Sequence, residues 1–302
     1  MMGSIEESPF QPLKHDRGRV AEMKMTFRMR RGVTLVELLI SLAVSGILVA
    51  ALYRAFAGQQ KNYAVQEQVV DIQQNVRVAI NRMMRETRMA GFGNVAMVLP
   101  ITFSSGTFNN ILNPDTPAAG SLTLICPIRE AATLSGSETV GGNQIIVSRL
   151  NDDGGNPLFD TADRKYISIG GVESHTITSI ESGTKTITLN GALIFNHAAA
   201  TPVFGIRAIS FQVGTLSGKP VLLRDEHTGD GGQPEADGIE DLQFQYLDAS
   251  GNPTGVPADI RIVRVSLTAR TETKDPELKA GDGYWRRRIA SNIHLRNMGL
   301  EP

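Results

Sequence analysis

Residues 30–53 read Arg-Arg-Gly-Val-Thr-Leu-Val-Glu-Leu-Leu-Ile-Ser-Leu-Ala-Val-Ser-Gly-Ile-Leu-Val-Ala-Ala-Leu-Tyr. The twenty-one residues from Val33 to Tyr53 carry a single charge, that of Glu37. At 1.5 Å per residue, a helix of this length measures about 31 Å, close to the thickness of the hydrocarbon core of a bilayer. The stretch therefore predicts one membrane-spanning helix over residues 33–53.

The residues before this run are basic. Residues 23–32 contain four Lys or Arg residues and no acidic residue. Because positive charge resists translocation, we expect residues 1–32 to stay in the cytoplasm and the chain after residue 53 to be exported across the inner membrane. Translation starts at Met23, Met25 or Met29 fit this leader equally well.

Two processing routes compete at this N-terminus. An ordinary secretory signal has a shorter apolar region that ends in a small-x-small cleavage site, and Ala55-Phe-Ala57 before Gly58 offers such a site. Two features weigh against that route: the apolar run is long, and Arg54 directly precedes the site. The other route starts from the residues around Gly32.

The stretch Arg30-Arg-Gly-Val-Thr-Leu-Val-Glu-Leu-Leu39 resembles the class III leader of type IV pilins and type II secretion pseudopilins. The resemblance implies that a prepilin peptidase cuts between Gly32 and Val33 and N-methylates Val33. Glycine also suits a scissile bond that needs a small, flexible residue in extended conformation. The family usually has Phe at the position of Val33.

The acidic residue of the apolar run is a candidate assembly residue. A charge in the middle of a membrane helix costs about 2.5–3.5 kcal/mol, so Glu37 needs an interaction that offsets this cost. In the resembled family, the glutamate at the fifth mature position faces the N-terminal amine of a neighbouring subunit. The resemblance implies this role for Glu37, and it implies other major and minor pilins as partners. The alternative is that the Glu37 carboxylate is protonated or reaches the membrane–water interface.

The helical pattern continues beyond the membrane segment. Apolar residues recur at spacings of three and four at Val69, Ile72, Val76, Ile80 and Met83. No proline lies between residues 33 and 99, and the sequence Gly91-Phe-Gly-Asn94 is a stop signal. We therefore predict one helix from about residue 34 to about residue 90, with an apolar stripe on its second half.

After residue 94, short apolar runs alternate with Gly, Asn, Asp and Pro. Nine strands are predicted, at 122–126, 144–149, 166–169, 176–180, 186–189, 203–213, 239–246, 260–269 and 287–295. Alternation of apolar and polar residues indicates antiparallel sheets with one buried face. We expect two sheets, or one long curved sheet, packed on the helix stripe, and a bulge at Val263-Arg264 where the alternation shifts phase.

The predicted fold class is α+β and pilin-like: a long N-terminal helix, transmembrane in its first half, packed on an antiparallel β-rich head. The predicted organisation is a cleaved leader at 1–32, a long helix at 33–93 and an exported head at 94–302. Four segments look like PilW-type minor pilins, whereas 95–235 resemble no family. These segments are residues 84–93, 238–246, 261–270 and 287–297.

Sites of chemistry are sparse in the sequence. Two acidic glycine-rich loops offer weak calcium candidates, Asp152, Asp153, Asp225 and Asp230, although neither follows the EF-hand spacing. The five histidines are scattered without a zinc motif, and no GxSxG, P-loop or GxGxxG motif occurs. We expect no catalytic residue and no cofactor other than a possible calcium ion, and predict that Cys126 is a buried apolar residue.

The charge of the chain does not favour nucleic acid as a partner. Removing residues 1–32, with seven basic and four acidic residues, leaves 23 basic and 27 acidic residues, a net charge of −4. The arginines of Trp285-Arg-Arg-Arg288 are interpreted as exposed residues at the start of a strand. The sequence thus predicts a minor pilin that initiates, primes or tips a type IV pilus. A type II secretion pseudopilin is the alternative, and a membrane-tethered enzyme or sugar-binding module is a more distant one.

Overall fold

A computed structural model describes residues 32–114, 120–275, 277–278 and 281–298. Nearly all of the predicted leader, residues 1–31, lies outside the described residues. The chain divides into two compact units, one ending at Gly58 and the other starting at Gln59. A single helix, α1 (Leu35–Met89), contributes to both units. Its bounds confirm the predicted helix to within one residue at each end.

In the first unit, the described residues 32–58 are all exposed. The only helix long and apolar enough to cross a membrane, among the described residues, is α1, and its most apolar window has no buried residue. An apolar surface of this extent is unfavourable in water and suits a lipid environment.

In the second unit, α1 has one buried stripe. Ile72, Val76, Ile80 and Met83 are buried as predicted, whereas Val69 is only half-buried. The stripe shares one hydrophobic core with residues of β-strands on two sheets, among them Phe211 and Val265. After Met89 the chain leaves the helix through Gly91, whose positive φ of 78° favours glycine at a helix C-terminus.

The largest sheet has nine antiparallel strands. They are β3 (Leu112–Pro114), β4 (Ser121–Thr133), β5 (Gln144–Ile146), β6 (Tyr166–Ile169), β7 (Glu173–Glu181), β8 (Thr186–Leu189), β9 (Pro202–Leu216), β10 (Lys219–Asp225) and β11 (Gln233–Asp237). The main path runs β11-β10-β9-β6-β7-β8-β5, with β4 also paired to β9 and β3 paired to β4. The fifteen-residue β9 therefore joins the parts of this sheet, since β4, β6 and β10 all pair with it.

Two further sheets complete the described fold. The strands β12 (Ile239–Leu247), β13 (Ile262–Arg270) and β14 (Arg286–His294) form a three-stranded antiparallel sheet, and β1 (Ile101–Phe103) pairs with β2 (Gly106–Phe108). Short 3-10 turns lie at Val95–Val98 and Pro257–Asp259. The α+β fold with antiparallel sheets is confirmed, although the strands form three sheets where the sequence predicts one or two.

All nine predicted strands are present, but one detail is wrong. The predicted bulge at Val263-Arg264 does not occur, because Val263 and Arg264 continue the regular ladders to β12 and β14. The strand begins at Ile262, and its buried apolar residues are Val263, Val265, Leu267 and Ala269. The sequence pattern shifts phase because Ile260 is buried before the strand starts and Ile262 is only half-buried.

Five strands escape the sequence pattern: β1, β2, β3, β10 and β11. The first three have only three residues each, too few for alternation to be visible. The last two contain Pro220 and Pro234, which argue against strand assignment in a sequence. Their pairing comes from tertiary contacts, since β10 lies between β9 and β11 in the sheet.

Candidate processing and assembly site

The predicted cleavage site lies just before α1. Gly32 and Val33 are exposed and have no regular secondary structure. A Cβ atom placed on Gly32 meets no atom within 4 Å, and its φ is not in the left-handed region. The folded chain therefore imposes no requirement for glycine at residue 32. A preference for glycine there would have to come from an external molecule that recognises this bond.

The helix starts with a side-chain cap. The Glu37 backbone N–H donates to the Thr34 hydroxyl at 3.2 Å, and the Leu38 N–H donates to the Thr34 carbonyl. Thr34 is thus the N-cap residue and Glu37 occupies the third helical position. Sequence reasoning missed this role of Thr34, although the spacing Thr-x-x-Glu before an apolar run is a signal for it.

The side chain of Glu37 is exposed and lies in the first turn of α1. It makes no hydrogen bond or ion pair with any residue that the structure describes. The partial positive charge of the helix N-terminus is the nearest source of stabilisation and contributes about 0.3–1 kcal/mol. A carboxylate in this position can bind a cation or an amine from another molecule.

A buried pair of charges ties α1 to the large sheet. Glu86 on α1 accepts hydrogen bonds from Arg224 Nε of β10, at 3.0 and 3.1 Å, and from Arg82 Nε at 2.8 Å. Arg224 also donates to Glu226. Burial alone lowers the pKa of Arg224, but the bonds to Glu86 and Glu226 raise it, so the guanidinium remains charged.

Two of the histidines that are scattered in the sequence meet at one buried carboxylate. Oε2 of Glu173, the first residue of β7, accepts from His175 Nε2 at 3.0 Å and from the Ile194 N–H at 2.8 Å. Oε1 accepts from His197 Nε2 at 2.5 Å and from the Phe195 N–H at 3.3 Å. We call Glu173, His175 and His197 the Glu173 cluster; because a carboxylate only accepts, both imidazoles donate from Nε2.

The hydrogen bonds of the Glu173 cluster indicate a structural role. Burial alone would raise the pKa of Glu173, but hydrogen bonds from Ile194, His197, His175 and Phe195 outweigh it, and the pKa is lowered. Each carboxylate oxygen already has two donors, so the cluster holds the loop around residue 194 against β7. Sequence spacing gave no signal for this arrangement, because residues 173 and 197 are joined only through the tertiary fold.

A third histidine, His227, links the turn between β1 and β2 to β9. His227 Nδ1 lies 2.7 Å from Ser105 Oγ, and Nε2 lies 2.6 Å from Ser210 Oγ. The ring also packs edge-on against Phe108, with ring centroids 4.9 Å apart. Burial lowers the pKa of His227, opposed by the charge of Asp225, so the neutral form is favoured.

Three of the calcium candidates lie in loops, and Asp225 is the last residue of β10. Asp152 Oδ1 accepts from the backbone N–H groups of Gly154 and Asn156, and hydrogen bonds from Asn156 lower the pKa of Asp152. The others have single contacts: Asp153 with Arg149, Asp225 with the His227 N–H, and Asp230 with Thr228. Across residues 32–114, 120–275, 277–278 and 281–298, no group of three or more His, Cys, Asp and Glu is placed to hold a metal ion.

Cys126 and the arginines of β14 lie where the sequence predicts. Cys126 is buried in the core of β4, and burial raises the pKa of its thiol far above the ordinary value. Arg286, Arg287 and Arg288 are exposed at the start of β14. Arg286 is held by Glu240 and Asp282 in ion pairs of 2.5 and 2.7 Å.

The chain matches one family model, that of the prokaryotic N-terminal methylation motif, over residues 27–53. No curated protein and no solved structure matches the chain. The matched residues include Gly32, Val33, the Thr34 cap and Glu37, which the structure places at the exposed start of α1. The match implies processing by a prepilin peptidase, and it supports a membrane-anchored assembly subunit of the type IV pilin or pseudopilin kind.

Proposed function

We propose that this protein is a minor pilin that helps to initiate, prime or tip a type IV pilus, for adhesion, motility or uptake. It acts by assembly and not by catalysis. The observation that carries the proposal is the carboxylate of Glu37 on the capped first turn of an apolar, exposed helix, which has no partner among the residues that the structure describes. Such a helix end is built to receive a positive group from a second molecule.

The energetics of Glu37 favour an intermolecular partner. The helix N-terminus stabilises the Glu37 carboxylate by about 0.3–1 kcal/mol, whereas a charge in a membrane helix costs up to about 2.5–3.5 kcal/mol. Processing between Gly32 and Val33 creates a positive N-terminal amine on every subunit. The amine of a neighbouring subunit offsets the remaining cost and sets the axial register of the two helices.

Location follows from the same residues. The basic leader keeps the N-terminus cytoplasmic, α1 crosses the inner membrane in its apolar half, and the second compact unit lies on the periplasmic side. After processing and N-methylation of Val33, the subunit packs among other major and minor pilins through α1. It then resides in the pilus or at the cell surface.

The segments that look like PilW-type minor pilins contribute to one packed region of the fold. The three C-terminal segments that look like PilW-type minor pilins form β12, β13 and β14, and the fourth is the end of α1. β12, β13 and β14 are consecutive strands and form one three-stranded antiparallel sheet. Its buried residues Leu242, Val265 and Ile293 share a core with the buried stripe of α1.

The decisive experiment is to coexpress the full chain with a prepilin peptidase and to determine the mature N-terminus by mass spectrometry. We expect N-methylated Val33 for the wild type and an intact leader for Gly32→Val. Gly46→Val is the matched control, because Gly46 also has no atom within 4 Å of its Cβ position and should leave processing unchanged. A mature N-terminus at Gly58 would show ordinary secretion and overturn the proposal.

A gene deletion in the native host distinguishes a pilus subunit from a secretion pseudopilin. Deletion of a minor pilin should reduce the number of surface pili, with secretion of exported enzymes unchanged. The opposite pattern would assign the chain to a type II secretion pseudopilus.

A further inference from the structure

A cleft of about 550 Å³ lies where α1 ends against the segment after β14. Three arginines line it, Arg85 and Arg88 from α1 and Arg296 from the C-terminal segment. Arg85 and Arg88 are three residues apart, so their side chains share one face of the helix. All three side chains are exposed, and among the described residues none of them forms an ion pair or a hydrogen bond through its guanidinium group.

Basic residues near a helix C-terminus often serve only to complement the helix dipole and its free carbonyl groups. Here another side chain takes part of that role. Asn297 Nδ2 donates to the carbonyl oxygens of Arg88 and Ala90, both at 3.3 Å. These carbonyl groups are therefore already satisfied, and the guanidinium groups remain free to bind a ligand.

The floor of the cleft is apolar. It is formed by Met84, Met89 and Phe92, which are all half-buried. Phe92 is held in place by an edge-on contact with Phe204, with ring centroids 5.7 Å apart, and Met84 Sδ accepts from Ser291 Oγ. Methionine side chains adapt to different apolar surfaces, so the floor suits a partner side chain of variable shape.

Three guanidinium groups around an apolar floor select for a carboxylate next to an apolar group. Guanidinium groups bind carboxylates in bidentate hydrogen bonds, which are stronger than neutral ones. A nucleic acid fits less well, because its phosphates favour an open basic surface and the chain without residues 1–32 has a net charge of −4.

We propose that the Arg85/Arg88/Arg296 cleft is a docking site for an acidic segment of a partner polypeptide, in which Glu or Asp alternates with apolar residues. The site goes beyond the proposed function and does not depend on it, because the cleft lies entirely in the second compact unit. The arginines bind the carboxylates, and the apolar side chains of the partner contact the methionines.

The test uses the full chain in detergent and a fluorescent peptide with the sequence Glu-Leu-Glu-Leu-Glu, monitored by anisotropy. We expect saturable binding that falls about tenfold or more in Arg85→Ala/Arg88→Ala, since two charged contacts are lost. The double lysine variant should keep part of the affinity, because it retains the charge but not the bidentate geometry. Arg77→Ala, an exposed arginine of α1 outside the cleft, is the matched control and should bind like the wild type.

Several results would overturn the proposal. They are equal binding of the corresponding Gln-Leu peptide, an equal loss in Arg77→Ala, or no binding at all. Tighter binding of a DNA duplex would assign the cleft to nucleic acid, and displacement of the peptide by equimolar phosphate would reduce it to a general anion site. Processing at Gly32 is measured on the same variants, so failure of the proposed function is scored separately.

Discussion

Arg224 of β10 donates from Nε to Oε1 of Glu86 on α1 over 3.0 Å, and both side chains are nearly buried. Arg82 approaches the same carboxylate from one turn earlier on the helix, and Glu226 accepts from the same guanidinium. The buried stripe of α1 lies beside this pair in the core. Apolar contacts alone tolerate sliding by small steps, whereas a bonded charge pair selects one position of the helix on the sheet.

The first prediction concerns this pair. Glu86→Ala should lower the free energy of unfolding by about 3 kcal/mol, because it removes one of the two carboxylates that compensate the buried charge of Arg224. Urea unfolding followed by fluorescence of Trp285, the only tryptophan in the sequence, measures the change. Glu67→Ala, an exposed glutamate of the same helix, is the control and should change stability by less than about 0.5 kcal/mol. Equal effects of the two substitutions would contradict the role of the pair.

The second prediction concerns the Glu173 cluster. Glu173→Gln should destabilise the protein by about 3 kcal/mol near neutral pH, because the amide cannot accept from all four donors. The pKa of Glu173 is lowered in the folded protein, so this stabilisation is fully present above the unfolded pKa of about 4.3 and is lost as the pH falls from there through the lower folded pKa. The difference in melting temperature between variant and wild type should therefore shrink in acid. Glu181→Gln, at an exposed position, should show neither effect.

The third prediction concerns His227. Its pKa is lowered by burial, so below about pH 6.5 the unfolded chain binds a proton more readily than the folded chain. Stability should thus decrease as the pH falls through this range. In His227→Gln, which cannot titrate, the melting temperature should vary less between about pH 7.5 and pH 5.5. The exposed His294 provides the control, and a pH profile unchanged in His227→Gln would count against the mechanism.

The fourth prediction separates the two functions of the first helical turn. Glu37→Ala should leave cleavage at Gly32 intact but prevent incorporation into filaments, because the partner amine loses its carboxylate. Thr34→Ala should cost about 1 kcal/mol of helix stability through loss of the N-cap, while incorporation continues. Mass spectrometry of the N-terminus and immunoblots of sheared filaments measure the two outcomes. Equal assembly defects in the two variants would indicate that the cap, and not the charge, matters.

Local sequence patterns were sufficient to predict the helix and strands with a clear alternation of apolar and polar residues. The spacing of Ile72, Val76, Ile80 and Met83 has the period of a helix with one buried face, and tertiary contacts bury these same residues. The alternation in β12 likewise predicts its buried face, with Leu242 and Phe244 inside. Such patterns are readable because each depends on residues only a few positions apart.

Other features depend on residues that are distant in the chain. The strands β10 and β11 carry no alternation and contain proline. β10 forms by pairing with β9, and β11 forms by pairing with β10. The bonds that join Glu86 to Arg224 span 138 residues, and those that join Glu173 to His197 span 24. No periodicity indicates which acidic residue will meet which basic one.

The sequence by itself determined that a long apolar helix follows a basic leader, that the processing motif lies at Gly32 and Val33, and that antiparallel strands follow. These properties come from composition and short-range periodicity, which act within one segment. Only the tertiary structure decided that the strands form three sheets and that scattered charges meet in pairs and in a cleft. The physical reason is that pairing of strands and of buried charges is selected by the shared core, where an unpaired polar group costs more than any local preference returns.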